Sequence, residues 1–118
     1  MKFMFIVKSA KPMGHSPALM EKMDKLAKRE TEAGHLLSGG QLTPMSSGAE
    51  VTIADGQLRT IDGPFAEAKE VIGGYAIFEL ESKEEAVASA VEFMQLHKDH
   101  LPGWEGTCEV RAFAPASH

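Results

Sequence analysis

The chain has 118 residues, of which 17 are acidic and 12 basic, so its formal net charge is −5 at pH 7. This length predicts one compact domain over residues 1–118, and the acidic balance argues against nucleic acid as a partner. Its one cysteine allows no internal disulfide, and no apolar run is long enough for a membrane span, so we expect a cytoplasmic protein with no membrane partner.

The first elements in chain order are a strand, a helix and a second strand. Residues 3–7 are apolar at every position, which is typical of a strand buried on both faces. Ser16 is a favourable N-cap with Pro17 at the first helical position, and apolar residues then recur at helical spacing as far as Gly34. A short strand is expected around residues 35–38.

The middle of the chain predicts a loop and then a hairpin. Glycine, proline and serine are frequent in residues 39–48, which favours a loop or an irregular sheet edge. Asp55 and Gly56 form a typical two-residue turn between two alternating segments. With this turn, Ile53 should lie across from Leu58.

The last elements are a strand, a helix and a final strand. Residues 75–80 again carry bulky apolar side chains on both faces. Ser82 should cap the second helix, and Glu85 three residues later completes a capping box. Residues 97–106 are expected to form a polar loop before a final strand at residues 108–114.

This order of elements predicts an α+β fold, namely a ferredoxin-like sheet with two helices on one face. Two helices cover one face only, yet the strands at 3–7 and 75–80 are apolar on both, so the second face needs a cover. We expect a homodimer in which two sheets pack face to face as a dimeric α+β barrel. Alternatively, residues 39–48 and the C-terminal tail fold over the sheet.

The segment with the most specific chemistry is Asp62-Gly63-Pro64-Phe65, followed by Ala-Glu-Ala-Lys-Glu. Turn-forming residues next to an aromatic side chain predict a stiff loop that presents the Asp62 carboxylate. Asp62 is therefore a candidate general base, and Gly63, Pro64, Phe65 and Lys69 are candidate ligand contacts. Alternatively, Asp62 only caps its own turn and the other charged side chains are solvated.

These residues, with Lys69-Glu70 and Gly73-Gly74, resemble the signature of the DGPF subgroup of YCII-related proteins. The resemblance extends from Lys2 to Ala86 and implies small bacterial proteins that form dimeric α+β barrels. It also implies a pocket edged by the Asp62 loop. Members of the family commonly carry Glu where this chain has Gly40, and residues 97–107 differ from the family pattern.

Histidine is the other expected agent of proton transfer, and the chain has five. The resemblance implies a pairing of a histidine with a carboxylate. His15, after the first strand, and His35, at the start of the second, are the candidates in this chain. Neither matches the position of the family histidine, so both can also be surface residues.

No metal or cofactor is expected. His97, Asp99 and His100 lie close in sequence, but their spacing is not typical of zinc and no cysteine pair supports them. The chain contains neither a P-loop nor a dinucleotide fingerprint. Cys108 is interpreted as a small core residue.

Two classes of function remain open. One is an enzyme that performs acid/base chemistry on an unidentified small organic molecule. The other is a non-catalytic ligand-binding or regulatory module, which the resemblance implies because family members are often encoded beside alternative sigma factors. Met20 and Met23, with Met4 and Met94, can line an adaptable pocket or simply fill the core. An acid within reach of a histidine would favour catalysis.

Overall fold

The computed structural model of the chain describes residues 1–10, 14, 16–63 and 70–115. Strands and helices follow one another as β1, α1, β2, β3, β4, β5, α2 and β6, with a short 3₁₀ turn at Met45–Ser47 before β3. Their bounds are, in that order, Lys2–Ser9, Pro17–Glu32, Leu36–Gln41, Ala49–Ala54, Gln57–Asp62, Val71–Glu79, Lys83–His100 and Thr107–Ala112.

The main sheet has the strand order β2-β5-β1-β6, and each neighbouring pair is antiparallel. The central strand β1 places Phe3 opposite Phe78 of β5 on one side and opposite Ala112 of β6 on the other. With helices after the first and fifth strands, this is the ferredoxin-like arrangement. The predicted α+β fold class is confirmed.

Strands β3 and β4 form a separate two-stranded sheet, the hairpin. Ile53 pairs with Leu58, as the turn at Asp55 and Gly56 predicts. Both turn residues have positive φ, 52° for Asp55 and 74° for Gly56, which is the combination that a type I′ turn requires. The Gly63 N–H donates a hydrogen bond to the Gly48 carbonyl at 2.8 Å and closes the base of the hairpin.

Both helices begin at the predicted caps. The Ser16 hydroxyl accepts a hydrogen bond from the Leu19 N–H at 3.2 Å, and the Ser82 hydroxyl accepts one from the Glu85 N–H at 3.2 Å. The Glu85 carboxylate accepts a bond from the Glu81 N–H at 3.0 Å. It therefore reaches one residue further back than in the expected capping box.

The hydrophobic core lies between α2 and the central strands. Phe3, Phe5 and Phe78 point to the helix side and pack against Ala86 and Ala90. The rings of Phe5 and Phe78 are stacked, with centroids 4.5 Å apart. Because the two alanines are small, α2 approaches the sheet closely.

The opposite face of the main sheet carries a second set of apolar side chains. Met4 pairs with Ile77 and Ile6 pairs with Tyr75, in alternation with the core residues. All four are only half-buried, and the two helices lie on the other side, with Phe3. The described residues thus leave this open face uncovered by any helix, while the dimeric barrel stays a prediction.

The polar loop predicted for residues 97–106 is wrong over its first four residues. Helix α2 continues to His100, and His97 is only 1% exposed. Ala86, Ala90 and His97 are spaced by four and seven residues, so they share one side of the helix. The charged neighbours of His97 concealed this helical period in the sequence.

Of the two alternatives predicted for residues 39–48, a loop or an irregular sheet edge, the start of the segment follows the second, because β2 is an edge strand with a register shift between Leu36 and Ser38. Strand β2 runs to Gln41, with Gly39 opposite Ala76 and Gly40 opposite Tyr75. Glycine weakens a strand and is typical of loops, which explains why the sequence favoured a strand end at residue 38. Here the glycines allow two backbones to lie close together.

Candidate functional site

A cavity of about 400 Å³, hereafter the cleft, lies between α1 and the helix side of the main sheet. This volume suits a small organic ligand. The wall from α1 includes Met20, Met23 and Ala27, which follow one another at helical spacing. The remaining lining comes from β1, β2, β5 and α2: Phe5, Val7, Leu36, Gly39, Gly40, Gln41, Gly73, Gly74, Tyr75, Ala76, Phe78, Ser89 and Phe93.

Glycines on β2 and β5 form the floor of the cleft. A Cβ atom on Gly39 would lie 3.0 Å from the Tyr75 carbonyl oxygen, and one on Gly74 would lie 3.1 Å from the Gly40 oxygen. Both distances are shorter than most Cβ contacts, so a larger residue at either position would require the two strands to move apart slightly. The register between β1 and β5 shifts at Gly73, so β5 carries one extra residue there, which is a β-bulge.

Helix α1 packs loosely over this floor. Leu19 is its one buried residue among those described, whereas Met20 is 39% exposed. Met20 and Met23 line the cleft, but Met4 and Met94 do not. Because methionine adapts its shape easily, this wall can accommodate ligands of differing outline.

The charged groups of the described lining are two carboxylates, Asp24 and Glu30. The Glu30 side chain is only 12% exposed, and its Oε2 lies 3.5 Å from Nε of Arg29 and 3.5 Å from Nδ1 of His35. Nδ1 of His35 is buried although the side chain as a whole is 43% exposed. Both contacts are long for a hydrogen bond, so the carboxylate keeps capacity to accept one from a ligand.

Behind Glu30, Arg29 connects the two helices. Its guanidinium donates hydrogen bonds of 2.9 and 2.7 Å to the two carboxylate oxygens of Glu92 on α2. This hydrogen bonding raises the pKa of Arg29 and lowers the pKa of Glu92. The Arg29 guanidinium is therefore engaged mainly by Glu92.

The structure places the predicted site residues in different locations. Asp62 is exposed at the end of β4, is not part of the cleft lining, and has no ion pair within the described residues. His35 lies beside Glu30 instead, so a histidine and a carboxylate do meet, but with a different acid. Gly63 follows Asp62 at the base of the hairpin. Four site candidates lie outside the described residues: His15, Pro64, Phe65 and Lys69.

Glu30 is the residue that the sequence interpretation missed. An acidic side chain in the last turn of a helix is unfavourable, because the helix dipole there favours cations. Glu30 also continues the stripe of Met20, Met23 and Ala27 that faces the cleft. The sequence signal for this residue was therefore available. It is an acidic side chain in a stripe that is otherwise apolar, placed at the C-terminal end of the helix, where a negative charge is unfavourable.

His97 belongs to a separate cluster near the end of α2. Its ring lies between Phe93 and Trp104, with centroid distances of 4.6 and 5.1 Å, and its Nδ1–H donates to the Phe93 carbonyl at 3.0 Å. Burial lowers the pKa of His97, and the hydrogen bond to Phe93 offsets this only in part. Its Nε2 has no hydrogen-bond partner within the described residues.

The other candidates for reactive or metal-binding groups show no sign of reactivity in the part of the chain that the structure describes. Burial raises the pKa of the Cys108 thiol to about 11, so it is protonated at neutral pH and fits the predicted core role. Among the residues that the structure describes, no three His, Cys, Asp or Glu side chains gather as metal ligands would. The expectation of no metal remains a prediction. None of the described helices has the length and apolar character needed to cross a bilayer.

Comparison with known proteins identifies a family and a distant relative. The model of the YCII-related domain matches residues 1–93. An uncharacterised protein of Rhizobium meliloti (strain 1021) is 28% identical over 96 residues, which cover 81% of this chain and 73% of that protein. All described residues that line the cleft fall within the matched range, whereas His97 and Trp104 fall outside it.

Proposed function

Because the chain belongs to the YCII-related domain family, we propose that it binds a small organic molecule in the cleft and moves a proton to or from it through Glu30. The observation that carries this proposal is the position of Glu30. Its carboxylate lines an otherwise largely apolar cleft and lies 3.5 Å from Nδ1 of His35. A carboxylate next to a histidine favours proton transfer over binding alone.

The different exposure of Glu30 and His35 suggests a different role for each residue. Glu30 is nearly buried, so its carboxylate can take a proton from a ligand that the apolar walls hold in place. The protonated carboxyl then lies beside His35, whose ring is partly exposed to solvent. His35 can pass the proton to water, or return it through Glu30 to the product.

The test uses phenylacetone as a probe, because it has an apolar ring and an acidic C–H next to a carbonyl. Proton NMR in D₂O measures how fast the wild-type protein exchanges this hydrogen for deuterium. Replacing a general base costs about 10²- to 10⁴-fold in rate, so Glu30→Gln should reduce exchange at least about 100-fold.

Glu32→Gln is the matched control for this experiment. It makes the same change of charge on α1, but Glu32 is exposed and does not line the cleft. It should leave the exchange rate unchanged. Exchange at the buffer rate in the wild type, or equal rates in Glu30→Gln and wild type, would contradict the proposal.

A non-catalytic binding module is the second candidate. It is favoured by Arg29, whose Nε lies as close to Glu30 as His35 does. An ion pair with Arg29 would occupy the carboxylate, so that it would not accept a proton from a ligand. In that case phenylacetone would bind and raise the melting temperature, without any exchange that depends on Glu30.

We also propose that the chain belongs to the DGPF subgroup, on the basis of the sequence of residues 62–70. Membership supports a bacterial, cytoplasmic protein and a second acid, Asp62, at the rim of the ligand site. Since Asp62 lies outside the cleft of its own chain, this role would require the hairpin of one copy to approach the cleft of another.

We also propose that two copies associate through their open faces. Support comes from the half-buried Met4, Ile6, Tyr75 and Ile77, and from hairpin side chains such as Ile53, which is 74% exposed. Isolated two-stranded hairpins are marginally stable, and a second copy would cover both surfaces by symmetry.

Sedimentation equilibrium tests the association. The wild type should sediment at twice the 12.8 kDa chain mass, and Ile6→Glu should dissociate it or prevent folding. Val87→Glu places the same charge on an exposed position of α2 and should remain dimeric. A wild type that sediments as a monomer at micromolar concentration would overturn this assembly.

A further inference from the structure

We infer that the cleft selects small apolar ligands that carry a protonated amine over neutral or anionic ligands of the same shape. This inference rests on the proposed function only in that the cleft must be a ligand site. Its basis is the sign of the charges in the lining. Among the described lining residues, Asp24 and Glu30 are charged, and none is Lys, Arg or His.

The two carboxylates flank the apolar wall. Asp24 and Glu30 are six residues apart on α1, which corresponds to about 9 Å along the helix axis and about 120° around it. Viewed down the helix axis, Met23 and Ala27 lie within the arc between these two carboxylates, and both line the cleft. Asp24 is exposed at the outer side of the helix, whereas Glu30 is nearly buried. An amine in the cleft thus has two carboxylates in the same lining, the exposed one of Asp24 and the largely buried one of Glu30.

The neighbouring cation does not cancel this negative charge. Arg29 gives two short hydrogen bonds to Glu92 and only a 3.5 Å contact to Glu30. One guanidinium is therefore shared by two carboxylates, those of Glu92 and Glu30, and it is hydrogen-bonded mainly to Glu92. A ligand carboxylate entering the cleft would be repelled, while an ammonium group would supply the donors that Glu30 lacks.

The rest of the lining selects for apolar surface but only weakly for shape. Phe5, Val7 and Phe78 give a fixed apolar wall on the sheet side, and Met20 and Met23 give an adaptable one on α1. Ligands of similar volume should therefore fit about equally well. Charge then becomes the main property on which the cleft can discriminate.

The test compares three probes of nearly equal size: 2-phenylethylamine, 2-phenylethanol and phenylacetate. Their affinities for the full chain are measured by ligand-observed NMR titration at neutral pH and low salt. We expect the amine to bind at least about tenfold more tightly than the alcohol, and phenylacetate to bind most weakly. Glu30→Gln should weaken amine binding at least about tenfold and change alcohol binding less than about twofold.

Glu32→Gln again serves as the control, because it removes the same single negative charge from α1 outside the cleft. It should leave all three affinities unchanged, and thermal melts of both variants verify that they are folded. If amine binding weakens equally in both variants, or if the wild type does not distinguish the probes, the inference is wrong while the cleft remains a binding site.

The remaining outcomes separate this inference from the proposed catalysis. Amine binding that depends on Glu30, without any deuterium exchange in phenylacetone, would support the inference and remove the catalytic proposal. Failure of all three probes to bind the folded wild type would overturn the inference, whereas the catalytic proposal would still stand or fall on the exchange in phenylacetone.

Discussion

The two helices lie on the same sheet but meet it in different ways. On α2, the small side chains Ala86 and Ala90 are buried and let the helix close onto Phe3 and Phe78. On α1, long side chains such as Met20 lie over a floor where the small residues are glycines of the strands. Small side chains on a helix therefore let it pack closely on the sheet and form a core. Small residues on the strands, under a helix with long side chains, leave a cavity instead.

The largest expected effect tests this contrast directly. Phe3 is 1% exposed under α2, so Phe3→Ala should lower the free energy of unfolding by about 3–5 kcal/mol. Met20→Ala, at a 39% exposed position on α1, should cost less than about 1 kcal/mol. Urea unfolding followed by circular dichroism measures both. Equal losses would mean that α1 packs as tightly as α2.

The second prediction concerns the glycine floor. Gly39→Ala places a Cβ 3.0 Å from the Tyr75 carbonyl, so it should lower the free energy of unfolding by about 1–3 kcal/mol. Gly73→Ala is the matched control, because its Cβ meets no atom within 4 Å. It should be neutral or stabilise by up to about 1 kcal/mol. A harmless Gly39→Ala would show that β2 and β5 can separate.

The third prediction concerns the buried His97 near the end of α2, the helix that packs closely on the sheet. Burial lowers the pKa of His97, so in acid the unfolded chain binds this proton more readily than the folded one. The free energy of unfolding should therefore fall as pH drops below about 6.5, by at most about 1.4 kcal/mol per pH unit from this group. His97→Phe keeps a ring beside Phe93 and Trp104 and should remove this component.

Urea unfolding of wild type and His97→Phe at several pH values between neutral and mildly acidic conditions measures this difference. Parallel curves for the two proteins would mean that the folded protein accepts a proton on His97 without cost. The segment around Trp104 would then be more open to water than the structure indicates.

The smallest effect is expected in the hairpin. Asp62 is exposed, so Asp62→Asn should change the free energy of unfolding by less than about 1 kcal/mol, measured by urea unfolding. The same variant separates two arrangements of the site. Unchanged affinity for 2-phenylethylamine would confine the site to the cleft, whereas a loss of about tenfold would place Asp62 at its rim.

The parts of the fold that were predictable depend on local chemistry. Ser16, Ser82 and the Asp55-Gly56 turn each determine the conformation of their own neighbourhood, so the sequence alone identified them. The hairpin register followed from the turn, and the confirmed order of elements then limited the topology.

The features that the sequence did not predict depend on contacts between segments that are distant in the chain. His97 is buried only because Trp104 and the helix packing cover it, which no local pattern of charges reveals. Glu30 joins the cleft only because α1 folds back over β2 and β5. For Asp62 the local turn chemistry was strong, but it carries no information on which cavity the loop faces.

The contact between Arg29 and Glu92 has a consequence for motion. Helix α1 is anchored near its start by the buried Leu19 and near its end by this ion pair, whose partners are 56% and 47% exposed. Concentrated salt shortens the screening length to about 3 Å at 1 M and should weaken the second anchor but not the first. The C-terminal end of α1 is then expected to move relative to the sheet. Ionic strength should therefore change the width of the cleft, whereas the core beneath α2 should not change.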